Sequence, residues 1–298
     1  MGKPRQRTAA DGLVIIDKPA GVTSHDVVAR MRRVCGTRAV GHAGTLDPMA
    51  TGVLVLGIER ATKLLGHLTA STKCYDATVR LGIATNTEDA EGETTAVTPA
   101  GHLTDDEILA AAQDLRGSLM QVPSAVSAIK VDGVRSYKRA RAGESFQLPA
   151  RPVTISSLEV NAIHRNGDVI DVDISVACSA GTYIRALARD LGLALGVGAH
   201  LTALRRTAAG RFTLADAIPL PEVGGAVPLL GLADVLAREY AVVTLDAEQA
   251  ARVRHGMRID ADPPSPAGLV GLLDTDGSVL ALSEARDGVW HHHAVFSA

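Results

Sequence analysis

Gly41-His42-Ala43-Gly44-Thr45-Leu46-Asp47-Pro48-Met49-Ala50-Thr51-Gly52 is the stretch whose reading decides the fold. Three glycines and a proline within it exclude a regular helix or a central strand. Pro48 biases Asp47 toward extended backbone angles, so the carboxylate is expected on a loop. The apolar run Val53-Leu54-Val55-Leu56 follows at once and reads as a buried strand. A carboxylate is therefore displayed at the mouth of a sheet, where sites are commonly built on a fixed scaffold. The plain alternative is a Gly/Pro-rich turn with a capping aspartate. A nucleotide-binding reading fails: Gly36 and Gly41 have P-loop spacing, but His42-Ala43 stands where Lys and Ser or Thr are required.

Upstream, Leu13–Ile16 is a short apolar strand, followed by the turn Asp17-Lys18-Pro19-Ala20-Gly21. Thr23 or Ser24 caps a helix whose Val27, Val28, Met31, Val34 and Cys35 share one face, and Gly36 ends it. Arg30, Arg32 and Arg33 lie off that face, where they are either solvated or available to phosphates. Downstream, residues 60–69 suggest a short helix, and Tyr75, Ala77, Val79, Leu81 and Ile83 alternate with polar residues as in a half-buried strand. Thr104-x-x-Glu107 is a capping box opening a helix to about Arg116. Strands at 153–163 and 169–177 flank Asn166-Gly167, a hairpin signal. Gly181-Thr182 then opens a helix with Ile184, Leu187, Ala188, Leu191 and Leu195 inward. Arg185 falls in its first turn, where a cation opposes the helix dipole, so a specific carboxylate partner elsewhere explains it better.

The formal net charge of −3 looks wrong for a nucleic-acid binder, but its distribution is uneven. Residues 1–50 carry eight Lys/Arg against four Asp/Glu, and residues 130–151 carry six against two. Residues 86–116 hold eight acids against Arg116 alone and are expected to face solvent away from any polyanion. The stretch 123–152 has little periodicity and reads as a surface excursion. Pro219, Pro221 and Pro228 with Gly224, Gly225 and Gly231 mark a break. Beyond it, Asp246-x-x-Gln249 caps a short helix, and strands at 268–273, 279–283 and 289–296 make a small β-rich module. Cys35, Cys74 and Cys178 are odd in number and lack metal spacing, which fits a reduced cytoplasmic compartment. No apolar run is long enough for a membrane span, and His42 has no second ligand at metal spacing.

The Gly41–Gly52 stretch resembles the catalytic motif of the bacterial tRNA pseudouridine-55 synthase family. So do Asp17-Lys18-Pro19-Ala20-Gly21, Lys73-Cys74-Tyr75 and Gly181-Thr182-Tyr183-Ile184-Arg185. These landmarks span roughly residues 12–212. The sequence departs from the common pattern at Ala43 (often Thr), Asn86 (often Asp) and Val126 (often Tyr).

The resemblance implies an α+β fold. A mixed or antiparallel-sheet catalytic domain would occupy residues 11–218 after a flexible tail at 1–10, and a linker at 219–239 would lead to a PUA-like RNA-binding domain at 240–298. It implies that Asp47 is the catalytic residue, with Arg185 as its ion partner and Tyr75 stacking on an extruded base. His42 would fill the gap that the base leaves, and Lys18 and Tyr183 would belong to the substrate site. Lys130, Lys138, Arg139 and Arg141 of the 123–152 insertion would grip the T-arm of tRNA, with Arg205 and Arg206 as further RNA contacts.

The implied reaction isomerises uridine 55 of the T-loop. It breaks a glycosidic C–N bond and makes a C–C bond at the same sugar carbon, so it needs no cofactor and no metal. Whether Asp47 attacks C1′ or removes the neighbouring 2′ proton is left open by the residues. The expected molecule is a monomer, with tRNA as partner, no obligatory protein partner and no membrane. A guide-RNA-dependent pseudouridine synthase and an RNA chaperone that remodels tRNA by binding are the two alternatives.

Overall fold

The computed structural model describes residues 10–124, 130–131, 134–135, 148–261 and 265–296, with backbone only at 130–131 and 134–135. In chain order the elements begin with strand β1 (Gly12–Lys18), helix α1 (Ser24–Val34), β2 (Val40–Ala43) and β3 (Thr51–Ile58). A 3-10 turn (Glu59–Leu64) then leads into α2 (Leu65–Thr69), so the single helix expected at 60–69 is two pieces. Glu59 at φ 52° turns the chain out of β3 and starts that tighter coil. Next come β4 (Lys73–Leu81), β5 (Ile83–Thr85), β6 (Thr94–Val97), α3 (Asp105–Asp114) and β7 (Gly117–Gln121). The two-residue strands β8 (Lys130–Val131) and β9 (Val134–Arg135) precede β10 (Arg151–Asn166), β11 (Val169–Cys178), α4 (Ile184–Ala194) and β12 (Ala199–Ala209). The chain ends with β13 (Phe212–Thr213), β14 (Ile218–Pro219), α5 (Leu232–Glu239), β15 (Ala241–Thr244), α6 (Ala247–Arg254), β16 (Leu269–Leu273), β17 (Val279–Arg286) and β18 (Val289–Val295).

The chain divides into two compact units. One comprises Met1–Leu46, Val53–Thr69 and Gly210–Ala298, the other Asp47–Gly52 and Ala70–Ala209. In the first unit β1 lies between β3 and a parallel β14, and β2 pairs antiparallel with β3. The N-terminus of α1 is closed by a capping box: Thr23 accepts from the Asp26 amide, and Asp26 accepts from the Thr23 amide at 2.9 Å. Val27, Val28 and Met31 give it the expected buried face. The C-terminal residues form their own sheet, β15-β16-β17-β18, over a core that includes Leu245, Val253, Val270, Leu272, Leu280 and Trp290.

The second unit holds the sheet β12-β4-β11-β10-β7, antiparallel throughout, while Thr51 and Gly52 at the start of β3 pair parallel with Arg205 and Arg206 of β12. The sheet is therefore mixed, as expected. Period-two sequence drives it. Ile170, Val172, Ile174 and Val176 of β11 are buried, and the intervening Asp171 and Asp173 reach Arg80 and Thr78 of β4 on the opposite face. Asn166 faces Val169 across the β10–β11 turn, where Gly167 takes φ 62°, a left-handed angle suited to glycine. Ile184, Leu187, Ala188 and Leu191 of α4 are buried by packing on β12.

Candidate active site

Asp47 sits between the end of the first unit's N-terminal segment and β3, on backbone without regular structure. The chain is pinned just before it. Ser24 Oγ accepts from the Leu46 amide and donates to the Leu46 carbonyl, both at 2.9 Å. Just after it, the Asp47 carbonyl accepts from the Ala50 amide at 3.1 Å, and Gly52 enters β3 at φ 98°. A Cβ at Gly52 would lie 2.2 Å from the Arg206 carbonyl oxygen, so only glycine allows β12 to approach this closely.

The Asp47 carboxylate, with its side chain 36% exposed, meets Arg185 Nε at 2.9 Å. Arg185 projects from the first turn of α4 and is 4% exposed. A guanidinium so far from water requires acceptors on every side. Nη1 donates to the Thr87 carbonyl at 3.0 Å and to Ser124 Oγ at 3.1 Å, and Asp89 Oδ2 lies 3.6 Å from Nε. Asp89 is itself fixed, accepting from Thr87 Oγ1 at 2.6 Å and from the Glu91 amide at 3.1 Å. The next turn of α4 repeats the device: Arg189 donates to Glu88, Asp190 and the Val122 carbonyl. One carboxylate is thus left partly open to solvent while a buried cation, braced by a second carboxylate, holds it in place.

Tyr75 of β4 is 9% exposed and lies within electrostatic reach of Asp47. Burial raises its phenol above the usual range, and Arg206 opposes that rise through its charge and a hydrogen bond to the hydroxyl. Lys73, two residues earlier on the same face, is pushed down to about 8, by burial first and by Arg206 second. Cys178 of β11, also facing Tyr75, is pushed up to about 11 by burial.

Among the residues singled out from sequence, the structure brings Asp47, Arg185, Tyr75 and Arg206 together. Tyr183 contributes backbone: its amide donates to Gln121 Oε1 at 2.9 Å and its carbonyl accepts from Gln121 Nε2 at 3.1 Å. Arg205 is half-buried and donates to Thr51 Oγ1 at 3.3 Å. In the first unit, His42 on β2 meets the His25 ring edge-on at 5.6 Å.

Arg206 is 1% exposed and Lys18 is 0% exposed. Lys18 Nζ donates to the carbonyls of Pro19 at 3.0 Å and Val22 at 2.7 Å, closing the turn before α1. One correction concerns the acidic stretch. Glu88 and Asp89 face inward as counter-charges to Arg189 and Arg185, because buried guanidiniums need them. Of the α1 arginines, Arg30 pairs with Glu222 at 3.1 Å and Arg32 donates to the Val40 carbonyl. Residues 1–9, Lys138, Arg139 and Arg141, and the side chain of Lys130, lie outside the described residues.

Asp89 and Ser124 were missed by sequence reasoning. A signal was available: an arginine in a helix's first turn already asked for carboxylates, and the acidic stretch lay unassigned.

A mixed sheet presents a carboxylate on a pinned loop, with an arginine on it and a tyrosine beside it, and comparisons with known proteins give the class of the chain: a pseudouridine synthase, an isomerase. A family model for the N-terminal domain of TruB family pseudouridylate synthases matches residues 32–184. A tRNA pseudouridylate synthase B C-terminal domain matches residues 185–230, and a tRNA pseudouridine synthase II C-terminal domain matches 240–297. The tRNA pseudouridine synthase B of Corynebacterium aurimucosum is 54% identical over 96% of this chain and 95% of its own. That of Thermobifida fusca is 53% identical over 97% of this chain and 99% of its own. The crystal structure of a Cbf5-Nop10-Gar1 complex is similar with a TM-score of 0.69, at 26% identity over 99% of this chain and 86% of that one. The chain belongs to the TruB family of tRNA pseudouridine synthases.

Proposed function

We propose that this chain converts uridine 55 in the T-loop of tRNA to pseudouridine, with Asp47 as the reacting carboxylate and the target base flipped out of the loop. The observation that carries the reading is the ion pair of a partly exposed Asp47 with a buried, braced Arg185, next to a buried Tyr75. The reaction detaches uracil from C1′, turns it and rejoins it through carbon, so atoms balance without any co-reactant. Asp47 supplies the oxygen that either attacks C1′ or takes the 2′ proton. Arg185 fixes the direction in which that oxygen points, which is where most of the positioning advantage arises. Tyr75 holds the free uracil by its ring face while it turns. His42 restacks the gap in the loop, offsetting part of the few kcal/mol that base extrusion costs.

Lys130, Lys138, Arg139 and Arg141 grip the T-arm phosphates in this reading, the residues of 240–298 add an RNA-binding module, and the chain acts alone as a monomer in the cytoplasm. The test is mass-mapping of pseudouridine in an unmodified tRNA transcript incubated with the pure chain. Modification at position 55 alone, and its loss when that uridine is replaced by cytidine, is the expected result. Modification elsewhere, or a requirement for added protein or guide RNA, would overturn it. Likeness to a Cbf5-containing complex favours the guide-dependent alternative only at the level of fold, while identity above 50% to the tRNA enzymes favours the stand-alone reading.

A further inference from the structure

Arg206 is the largest side chain sealed inside the described fold, at 1% exposure. A guanidinium in that position is costly unless its hydrogen bonds accomplish something there. On β12 it stands directly opposite Tyr75 of β4 in the antiparallel register, so the two buried side chains leave the sheet side by side on one face. Its backbone is also the surface against which Gly52 closes, at the exit of the Asp47 loop. One residue therefore touches the tyrosine through its side chain and the catalytic loop's outgoing strand through its main chain.

We propose that Arg206 is a positioning residue for Tyr75: by bonding the hydroxyl from within the sheet, it holds the ring at one angle beside Asp47 and so sets where the detached uracil is kept. Arg206 does not touch RNA in this scheme. The ring's only polar handle is its hydroxyl, and a donor fixed by two neighbouring strands restrains the swing of the whole side chain about its Cα–Cβ bond. The charged and titratable groups around the ring are consistent with this task. Arg206 faces it from β12, Cys178 from β11 and Asp47 from the loop, with Lys73 beside Arg206 on β4. This inference rests on the functional reading above.

The experiment compares wild type, Arg206→Lys, Arg206→Gln and Tyr75→Phe in single-turnover pseudouridine formation and in equilibrium binding of the same tRNA. Arg206→Gln is expected to slow the single-turnover step by roughly ten- to a hundred-fold while tRNA affinity stays within about threefold, with Arg206→Lys recovering part of the rate. The second readout is NMR of the RNA-free protein carrying tyrosine labelled with ¹³C at Cζ. Tyr75 is assigned as the resonance absent from Tyr75→Phe, and it should move in both Arg206 variants. A wild-type rate in folded Arg206→Gln, or a loss confined to tRNA affinity, would overturn the proposal. Should Arg206→Gln fail to fold, Arg206→Lys decides: an unmoved Tyr75 resonance with an unchanged rate would overturn it equally. A wild-type chain that leaves uridine 55 unmodified contradicts the functional reading instead, and the Tyr75 resonance then still reports whether Arg206 positions the ring.

Discussion

Arg185 shows how a single residue can be legible in sequence while its surroundings are not. Its place in the first turn of α4 runs against the helix dipole, which pointed to a carboxylate partner, and Asp47 is found at 2.9 Å. Asp89 was not legible, because its burial depends on a loop carried in from far along the chain and an acidic stretch resembles a solvated one until that contact forms. Replacing Asp89 by Asn leaves the shape but removes the charge that braces Arg185 from behind. The single-turnover rate should fall about tenfold or more while tRNA affinity stays within about threefold. An unchanged rate would show that Asp47 alone orients the arginine. Lys73 offers a separate test through pH. With the amine pushed down to about 8 from 10.5, the unfolded chain holds a proton between those values that the folded chain has released. Stability therefore rises with pH across that window, and below about 8, where the folded and unfolded chains are both protonated, the cost of carrying the buried charge no longer changes with pH. Lys73→Met should flatten the rise of unfolding free energy between those two values relative to wild type, as read by denaturant titration. Equal slopes would contradict the assignment.

Among the elements, those set by local pattern were readable. The hairpin of β10 and β11 turns at Asn166-Gly167, and α1 and α3 begin at capping boxes on Thr23 and Thr104. The element least visible was β12. Two adjacent arginines and small residues disguised its alternation, and Arg206 points inward only because Tyr75 and its neighbours receive it. Gly52 is where that hidden strand meets the visible loop. Gly52→Ala forces a Cβ to 2.2 Å from the Arg206 carbonyl oxygen at a φ of 98°, so β3 or β12 must shift. Destabilisation of about 2–4 kcal/mol is expected, with turnover reduced more than affinity because the Asp47 loop leaves through this residue. Thermal unfolding with single-turnover kinetics checks both. A variant as stable and active as wild type would show that the close approach is slack.

At the scale of the whole molecule, the family resemblance implied the α+β fold with a mixed sheet that is found, strand and turn pattern anticipated the small C-terminal sheet, and the family matches extend over residues 32–184, 185–230 and 240–297. The net charge of −3 conceals a basic stretch at 130–151, the segment proposed to grip the T-arm. Neutralising Lys130, Lys138, Arg139 and Arg141 together should weaken tRNA binding and flatten its salt dependence, by about 0.7–0.9 log units of slope per lost phosphate contact. A filter-binding titration with an unchanged slope would remove that segment from the RNA interface. The central claim, that the carboxylate held by Arg185 performs the chemistry, is tested most directly by Asp47→Asn, which keeps the shape and takes away the charge and the reactive oxygen. Single-turnover isomerisation and equilibrium binding of one tRNA are measured side by side for wild type and variant. Pseudouridine formation below detection with tRNA affinity retained is the expected result; near-normal turnover by the Asn variant would contradict the account.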